Sequence, residues 1–285
     1  MLQLYHKRLI YQLLILLDLG GIVLKYTLED LKEIIKRLRA ENGCAWDRIQ
    51  THETLREAML EEAYEVVEAI NHNDTENLKE ELGDVLLQVV FHAQIEEEQK
   101  NFDLSDVITA ISEKMIHRHP HVFGTEKADT PEKVLQNWEQ IKKKEKKYQT
   151  QTEAMKKIPD ALPALTKAKK VQKKAKEVGF DFENIQQAME KVKEELQELE
   201  ETFSQSQKRQ EEELGDLLFS IVNISRFLQL NPEFALTKAV KKFINRFECV
   251  EQNALMDKKS LSDMTLEELE LFWLQAKHSK SPTEE

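Results

Sequence analysis

The feature that most constrains the fold of this chain is an internal repeat. The pentapeptide Glu-Glu-Leu-Gly-Asp stands at residues 80–84 and returns at 212–216. Three further pairs recur in the same order, at separations of 128 to 135 residues: Glu62 with Glu195, Lys114 with Lys242, and Trp138 with Trp273. Because order and spacing are both kept, the sequence indicates a tandem duplication of a domain of roughly 130 residues.

Each half reads as a succession of amphipathic helices. Gly and Pro number only 7 and 6 among 285 residues, and Leu, Glu, Lys, Gln and Ala dominate, as is typical of helical proteins. Apolar residues follow Thr27 at helical spacing, and Thr27 with Asp30 forms a potential capping box. In the first half we expect a loop over 43–52, a helix over about 53–71 and a helix that Pro120 ends. The pattern predicts an all-α fold of two tandem helical bundles.

The repeat also predicts where the domains begin and end. The first domain spans 26–145 and the second spans 164–285. A charge-rich linker at 146–163, which ends in prolines, joins them. An N-terminal extension at 1–25 precedes both domains and has no counterpart in the repeat.

The extension is apolar but is not a typical membrane segment. Residues 9–24 include Gln12 and Asp18, and the stretch is shorter than a membrane span of about 20 residues. No small-residue cleavage site follows it. We therefore expect neither an anchor nor a signal peptide, and interpret the extension as an added helix or the vestige of a preceding domain.

The overall charge limits the partners that the chain can bind. Lys and Arg total 41 and Asp and Glu total 53, which gives a net charge of −12 and disfavours nucleic acid as a partner. A phosphate ligand then needs local basic residues or metal ions. Cys44 and Cys249 form no Cys-x-x-Cys pair, which fits a reducing cytoplasm.

A pair of acidic helices is the most unusual feature of each half. In the first half, Glu62 and Glu65 lie one turn apart on one helix, and Glu81 and Asp84 do so on the next, which we predict to begin near Leu78. The turn between the helices is short, so antiparallel packing brings four carboxylates together. The second half repeats the set as Glu195, Glu198, Glu213 and Asp216.

Two interpretations of these carboxylates are open. They form solvated acidic faces, or they converge on divalent cations that offset the repulsion between them. Di-iron bundles use Glu-x-x-His, whereas Asp84 and Asp216 occupy the histidine position here. Ligands that are all oxygens favour Mg²⁺, with Mn²⁺ as a substitute, over iron. The repetition of the whole pattern favours the metal site.

Basic and aromatic residues follow the acidic helices in each half. Lys and Arg spaced i,i+4 suit a phosphate, although ordinary surface charge is the alternative; the pairs are Lys114 with Arg118 and Lys242 with Arg246. Trp138 and Trp273 are placed to stack on a base or to pack in a core. Lys191 lies one turn before Glu195, where the first half has Ala58. This difference predicts that the second half is the better catalyst.

Several stretches together resemble the MazG family of nucleoside triphosphate pyrophosphohydrolases. In the first half they are WDRIQTHETL, MLEEAYEVVEAI, EELGDVLLQVVFHA, RHPHVFG and NWEQIK. In the second half they are PALTKAKKVQKKAKEVGFDF, EELGDLLF and KKFINRF. The resemblance covers about residues 26–280. One departure is Ala45, where the family usually has proline.

The resemblance implies an all-α, Mg²⁺-dependent homodimer that splits nucleoside triphosphates into the monophosphate and diphosphate, with broad base tolerance. It implies metal ligands at Glu195, Glu198, Glu213 and Asp216, with first-half equivalents at Glu62, Glu65, Glu81 and Asp84. Lys191, Lys242, Arg246 and Trp273 match its nucleotide-contacting positions, and Lys142 matches a lysine implicated in activity. We assign the orientation or deprotonation of the attacking water to Glu194 or Glu212. The rival hypothesis is a non-catalytic helical adaptor that uses its acidic faces for interaction.

Overall fold

The computed structural model of the chain describes residues 25–146 and 148–278. These residues form α-helices and one short 3₁₀ helix, and the described part of the chain has no strand. The all-α prediction is therefore confirmed. The predicted N-terminal extension lies, except for its last residue, outside the described residues.

The chain divides into two compact units between Glu145 and Lys146. The first contains α1 (Leu28–Arg39), α2 (Ala45–Arg48), α3 (Arg56–His72), α4 (Thr75–Gln99), α5 (Leu104–Arg118), α6 (Pro120–Phe123) and α7 (Pro131–Lys146). The second contains α8 (Gln151–Lys156), α9 (Ala164–Lys176), α10 (Ile185–Glu201), α11 (Gln207–Phe227), α12 (Pro232–Met256), the 3₁₀ helix Leu261–Asp263 and α13 (Leu266–His278).

In the first unit, α4 is the central helix. It pairs with α3 along its length and also contacts α1 and α5. Val90 and Phe91 of α4 are buried against Ile35 of α1 and Leu104 of α5. Capping fixes the helix ends: Thr27 and Asp30 form the predicted capping box at α1, and the Asp74 side chain accepts a hydrogen bond from the Asn77 amide at α4.

The second unit repeats the central helix pair and the helix that packs across it. Helices α10 and α11 form its main pair, α9 packs across α11, and α12 pairs with α13. The repeat register holds in three dimensions, because Val222 of α11 is 1% exposed, as is its counterpart Val90. Asn184 and Asn231 cap α10 and α12, as Asp103 caps α5.

Three predicted boundaries in the first unit were wrong. The stretch 43–52, predicted as a loop, contains α2. The Arg39 guanidinium donates hydrogen bonds to the carbonyls of Asp47 and Gln50 and so stabilises the end of this helix. The acidic helix begins at Arg56 rather than 53, because residues 52–55 form turns. Helix α4 begins at Thr75 rather than near 78 because Asp74 caps it there.

Other segments add detail to the expected outline. Helix α5 ends just before Pro120, as predicted, and Pro120 then opens the short α6. The predicted linker at 146–163 contains α8, which packs on α9 and buries Ala154. In the part of the chain that the structure describes, no helix is both long enough and apolar enough to cross a membrane.

Candidate metal and nucleotide site

The first acidic cluster lies between α3 and α4. One carboxylate oxygen from each of Glu62, Glu81 and Asp84 lies within 4.8 Å of the others. Burial, followed by the charges of Asp84 and Glu65, raises the pKa of Glu62. Burial, followed by the charge of Glu65, raises the pKa of Glu81. Glu65 lies outside the 4.8 Å group but within electrostatic reach of it.

The second acidic cluster lies between α10 and α11. Glu195, Glu198 and Glu213 bring one carboxylate oxygen each to within 4.8 Å of the others. Glu195 and Glu213 are buried, each 6% exposed. Burial and the charge of Glu195 raise the pKa of Glu198. Asp216, the fourth predicted ligand, is exposed and lies outside this group, so its ligand role stays a prediction.

Two basic side chains contact the second cluster. The Lys191 ammonium lies 2.7 Å from a Glu195 oxygen and 2.8 Å from a Glu194 oxygen. These hydrogen bonds raise the pKa of Lys191. The Arg209 guanidinium lies 2.5 Å from Glu213 and 2.9 Å from Glu212. The cluster that is buried most deeply is therefore also the one that the chain's own cations neutralise.

Arg209 is not among the residues that we predicted from sequence. It precedes Glu213 by four residues, as Lys191 precedes Glu195. The i,i+4 rule that singled out Lys191 would also have found Arg209. The corresponding first-unit positions, four residues before Glu62 and Glu81, are Ala58 and Asn77. Neither residue has a charge that could neutralise the first cluster.

The donor set of each cluster fits a hard divalent cation. Three carboxylates that share a small volume repel one another, and the raised pKa values of Glu62, Glu81 and Glu198 record that repulsion together with burial. All of the converging atoms are oxygens, which suits Mg²⁺ or Mn²⁺. In the second unit, Lys191 and Arg209 provide positive charge to the same carboxylates.

One member of the predicted basic pair of the first unit has a carboxylate partner. Arg118 of α5 is directed to α7, where its guanidinium lies 2.6 Å from a Glu145 oxygen. This contact holds the pKa of Glu145 low, with a smaller contribution from Lys114. Lys142 lies with its ammonium 4.0 Å from the centre of the Trp138 ring, a cation–π contact.

The corresponding residues of the second unit lie on the α12–α13 pair. Lys242 is exposed and Arg246 is half-buried on α12. Trp273 of α13 packs against Phe243 of α12, with ring centroids 5.0 Å apart. Trp273 thus packs against a neighbouring ring and is half-buried, and its contact with a base stays a prediction.

Comparison with known proteins shows that both acidic clusters lie in segments that match one protein family. The sequence matches the family described as MazG nucleotide pyrophosphohydrolase domain over residues 50–123 and 175–253. The nucleoside triphosphate pyrophosphohydrolase/pyrophosphatase MazG of Thermotoga maritima is 46% identical over 249 residues, which are 87% of this chain and 95% of that protein. The nucleoside triphosphate pyrophosphohydrolase of Escherichia coli is 43% identical over 257 residues, 89% of this chain and 98% of that protein.

Among solved structures, the crystal structure of a mazG-related protein from Thermotoga maritima is 39% identical, covering 40% of this chain and 98% of that chain, with a TM-score of 0.35. The two family segments contain all eight predicted metal ligands and both basic pairs, whereas Trp138, Lys142 and Trp273 lie outside them. The chain therefore belongs to the MazG family and is a nucleotide pyrophosphohydrolase of that family.

Proposed function

We propose that the chain hydrolyses nucleoside triphosphates to nucleoside monophosphates and diphosphate, with Mg²⁺ as cofactor and little preference for the base. The observation that carries this proposal is the convergence of Glu195, Glu198 and Glu213 within 4.8 Å between two paired helices. The names of the relatives from Thermotoga maritima and Escherichia coli support the reaction. The oxygen-only donor set supports Mg²⁺, with Mn²⁺ as a substitute.

The metal ligands of the second unit are Glu195, Glu198 and Glu213, with Asp216 as the fourth. The first-unit equivalents are Glu62, Glu65, Glu81 and Asp84. A bound divalent cation would supply Lewis acidity and neutralise charge on the phosphates. The chain's own residues bind the remainder of the nucleotide, because Lys242 and Arg246 hold the outer phosphates and Trp273 contacts the base.

Proton transfer and phosphate binding fall to residues beside the ligands. Glu194 and Glu212 are the candidates for orienting the attacking water, and each now pairs with a cation, Lys191 or Arg209. A bound cation would compete with Lys191 for Glu195 and would leave the Lys191 ammonium available to the phosphates of the substrate. Lys142 and the first-unit pair Lys114 and Arg118 are further candidates for nucleotide contacts; Lys142 contacts Trp138 and Arg118 contacts Glu145.

A homodimer belongs to the same proposal. Large apolar side chains are exposed on the helices of each unit, and contiguous exposed apolar surface is typical of an interface. In the second unit they include Leu214, Leu218 and Phe219 of α11 and Phe243, Ile244 and Phe247 of α12. Association of two chains would bury these residues. Light scattering at micromolar concentration tests this directly, and a monomer would contradict it.

The cellular setting is also part of the proposal. Cys44 and Cys249 are free cysteines, which agrees with a reducing cytoplasm, although it does not require one. The net charge of −12 supports a nucleotide rather than a nucleic acid as partner.

The decisive experiment measures diphosphate and monophosphate release from individual nucleoside triphosphates, with and without Mg²⁺. We expect both products in equal amounts, only with the metal, and from several bases. Release of inorganic phosphate instead of diphosphate would contradict the proposed bond cleavage. No metal-dependent product from any nucleotide would favour the helical adaptor.

A further inference from the structure

A basic pocket lies in the second unit, away from the acidic cluster. It has a volume of about 310 Å³ and is lined by Thr166, Lys169, Lys170, Lys173, Arg226 and Asn231. Four of these six residues are cationic, on a chain whose net charge is −12. The lysines come from α9, Arg226 from the end of α11 and Asn231 from the N-cap of α12.

In the first unit, ion pairs occupy the position that corresponds to this pocket. Helix α1 takes the place of α9, because each packs on the central helix of its unit. Lys32 and Lys169 are the lysines of these helices that reach the start of the following long helix, at Asp103 and at Leu230. In the first unit the Lys32 ammonium lies 3.3 Å from Glu97 and 3.6 Å from Asp103. The protein's own carboxylates therefore neutralise this lysine, and their charge contributes to the raised pKa of Lys32.

Both of those carboxylates are lost in the second unit, for two separate reasons. Asp103, the N-cap of α5, is replaced by Asn231, the N-cap of α12. Glu97 lies on the last turn of α4, which continues 15 residues past Asp84 to Gln99. The matching helix α11 is shorter, because it ends at Phe227, only 11 residues past Asp216. Helix α11 thus ends before the turn that would bear the acid.

The Lys169 ammonium now contacts a neutral group. It donates a hydrogen bond of 2.7 Å to the carbonyl of Leu230, next to Asn231. Two carboxylates contact residues of the lining, so Arg226 is already neutralised and the lysines supply the remaining positive charge. Asp181 pairs with Arg226, and Glu233 accepts hydrogen bonds of 3.3 Å from the amide and hydroxyl of Thr166. The described lining itself contains no carboxylate.

We infer that this pocket binds the phosphate chain of a small oligophosphate, either inorganic or part of a nucleotide. Lys169 and Lys170 bring two like charges to one pocket, and an anion with several charges offsets the repulsion between them. The volume lies at the small end of the range for ligand pockets, which suits two or three linked phosphates. A single phosphate would engage only part of the cationic lining.

The pocket is distinct from the proposed catalytic centre. Arg226 and Glu213 both lie on α11, separated by thirteen residues, which corresponds to roughly 20 Å along a helix. Binding there needs no metal and no turnover. The inference therefore stands or falls independently of the proposed pyrophosphohydrolase activity.

The test is calorimetric titration of the full chain with inorganic triphosphate in EDTA at low ionic strength. The background is Lys242→Gln/Arg246→Gln, which removes the phosphate contacts proposed for the catalytic centre. We expect one triphosphate per chain, with affinity that falls as salt is added. A nucleoside triphosphate titrated in parallel shows which source is preferred: equal affinity indicates recognition of the phosphate chain alone, and tighter binding indicates that the base contributes.

Two variants of this background decide the assignment. Lys169→Gln/Lys170→Gln should weaken triphosphate binding at least roughly tenfold, because charge-assisted hydrogen bonds are lost. Asn231→Asp restores the first unit's acid, keeps a good helix cap and should also weaken binding. The matched control Lys258→Gln/Lys277→Gln, two exposed lysines elsewhere in the second unit, should bind as the background does. The inference is overturned if triphosphate does not bind, if Asn231→Asp binds as the background does, or if the control loses as much.

Discussion

The two units share one helical arrangement but carry their basic residues at different positions in it. In the second unit, Lys191 and Arg209 contact the acidic cluster, and the first unit has Ala58 and Asn77 at the same positions. On α1 of the first unit and α9 of the second the arrangement is reversed. There the first unit pairs Lys32 with its own carboxylates, whereas the second unit leaves a basic pocket.

This contrast shows that a shared set of carboxylates does not make two equal sites. Both units bring three carboxylates within 4.8 Å, so both can hold a divalent cation. Only the second has cations one helical turn from those carboxylates, at Lys191 and Arg209. A substrate with a triphosphate needs positive charge beyond the metals, and we therefore expect the second unit to be the main catalyst.

The largest effect should come from removing one cluster at a time. Glu195→Gln/Glu198→Gln should lower turnover by roughly 100-fold or more, because charge stabilisation is the principal catalytic contribution here. Glu62→Gln/Glu65→Gln should leave most activity in place. The measurement is diphosphate release at saturating Mg²⁺.

Circular dichroism and light scattering control for folding and association in both double variants. If the first-unit pair abolishes activity and the second-unit pair spares it, the assignment is reversed. Equal losses would show two working sites, and the cations that distinguish the units would then have no catalytic consequence.

The next effect concerns Lys191 itself. Lys191→Ala should weaken nucleotide binding by roughly 10- to 150-fold, the equivalent of one charge-assisted hydrogen bond. Because the Lys191 ammonium would compete with a cation for Glu195, the same substitution should not weaken Mg²⁺ binding. Titration with a non-hydrolysable nucleotide and with Mg²⁺ alone separates these two results.

Lys193→Ala is the matched control, since Lys193 is exposed two residues further along α10. Nucleotide affinity that is unchanged in Lys191→Ala would contradict a phosphate contact. Loss of Mg²⁺ affinity without loss of nucleotide affinity would show that Lys191 only organises the carboxylates.

Sequence patterns predicted the parts of this architecture that depend on local spacing. The repeat, the helices and the convergence of Glu195, Glu198 and Glu213 follow from i,i+3 spacing and a short turn. Capping at Thr27 is equally local. Such features depend on residues that lie within about one or two helical turns of each other. Their separation in the sequence therefore gives their separation along the helix directly.

Features that depend on distant partners were not predictable in this way. Arg118 had the spacing of a phosphate ligand but pairs with Glu145, 27 residues later. Helix α2 forms where a loop was expected because Arg39 binds its carbonyls from α1. The exposure of Asp216 depends on how α11 is rotated about its axis relative to α10. A periodic sequence pattern alone does not determine which residues of a single helical turn face the neighbouring helix.

A smaller expected effect concerns an ion pair in the second unit. Arg226 pairs with Asp181, and both side chains are largely buried, at 10% and 13% exposed. The matched residue of the first unit is Gln94, which hydrogen-bonds to Glu98. Asp181→Asn should lower the free energy of unfolding by about 3 kcal/mol, as expected when one partner of a buried pair is removed.

The effect should depend on pH in a defined direction. Arg226 holds the pKa of Asp181 low, so the stabilisation is complete above the ordinary aspartate pKa of about 3.9 and is lost as pH falls through the lower folded-state value. Urea unfolding at pH 7 and pH 3 should show a difference between wild type and variant that shrinks in acid. An equal difference at both pH values would contradict this role.

The smallest expected effect tests a histidine pair that only the first unit has. His52 Nδ1 lies 2.7 Å from His92 Nδ1, and His52 Nε2 lies 2.5 Å from Glu96; the second-unit residue that matches His92 is Ile224. Burial, followed by the charge of His52, lowers the pKa of His92.

His92 is therefore neutral in the folded chain at pH values where the unfolded chain already binds a proton. Its contribution to stability is complete above the ordinary histidine pKa of about 6.5 and is lost as pH falls through the lower folded-state value. Hydrogen exchange of the full chain, corrected for intrinsic rates, should show that α3 and α4 open more easily at pH 5 than at pH 7. His92→Ile, which introduces the second unit's residue, should remove much of this pH dependence, and His72→Gln, a substitution at an exposed position of α3, should keep it. If α10 and α11 of the second unit show the same pH dependence, the histidine pair is not its cause.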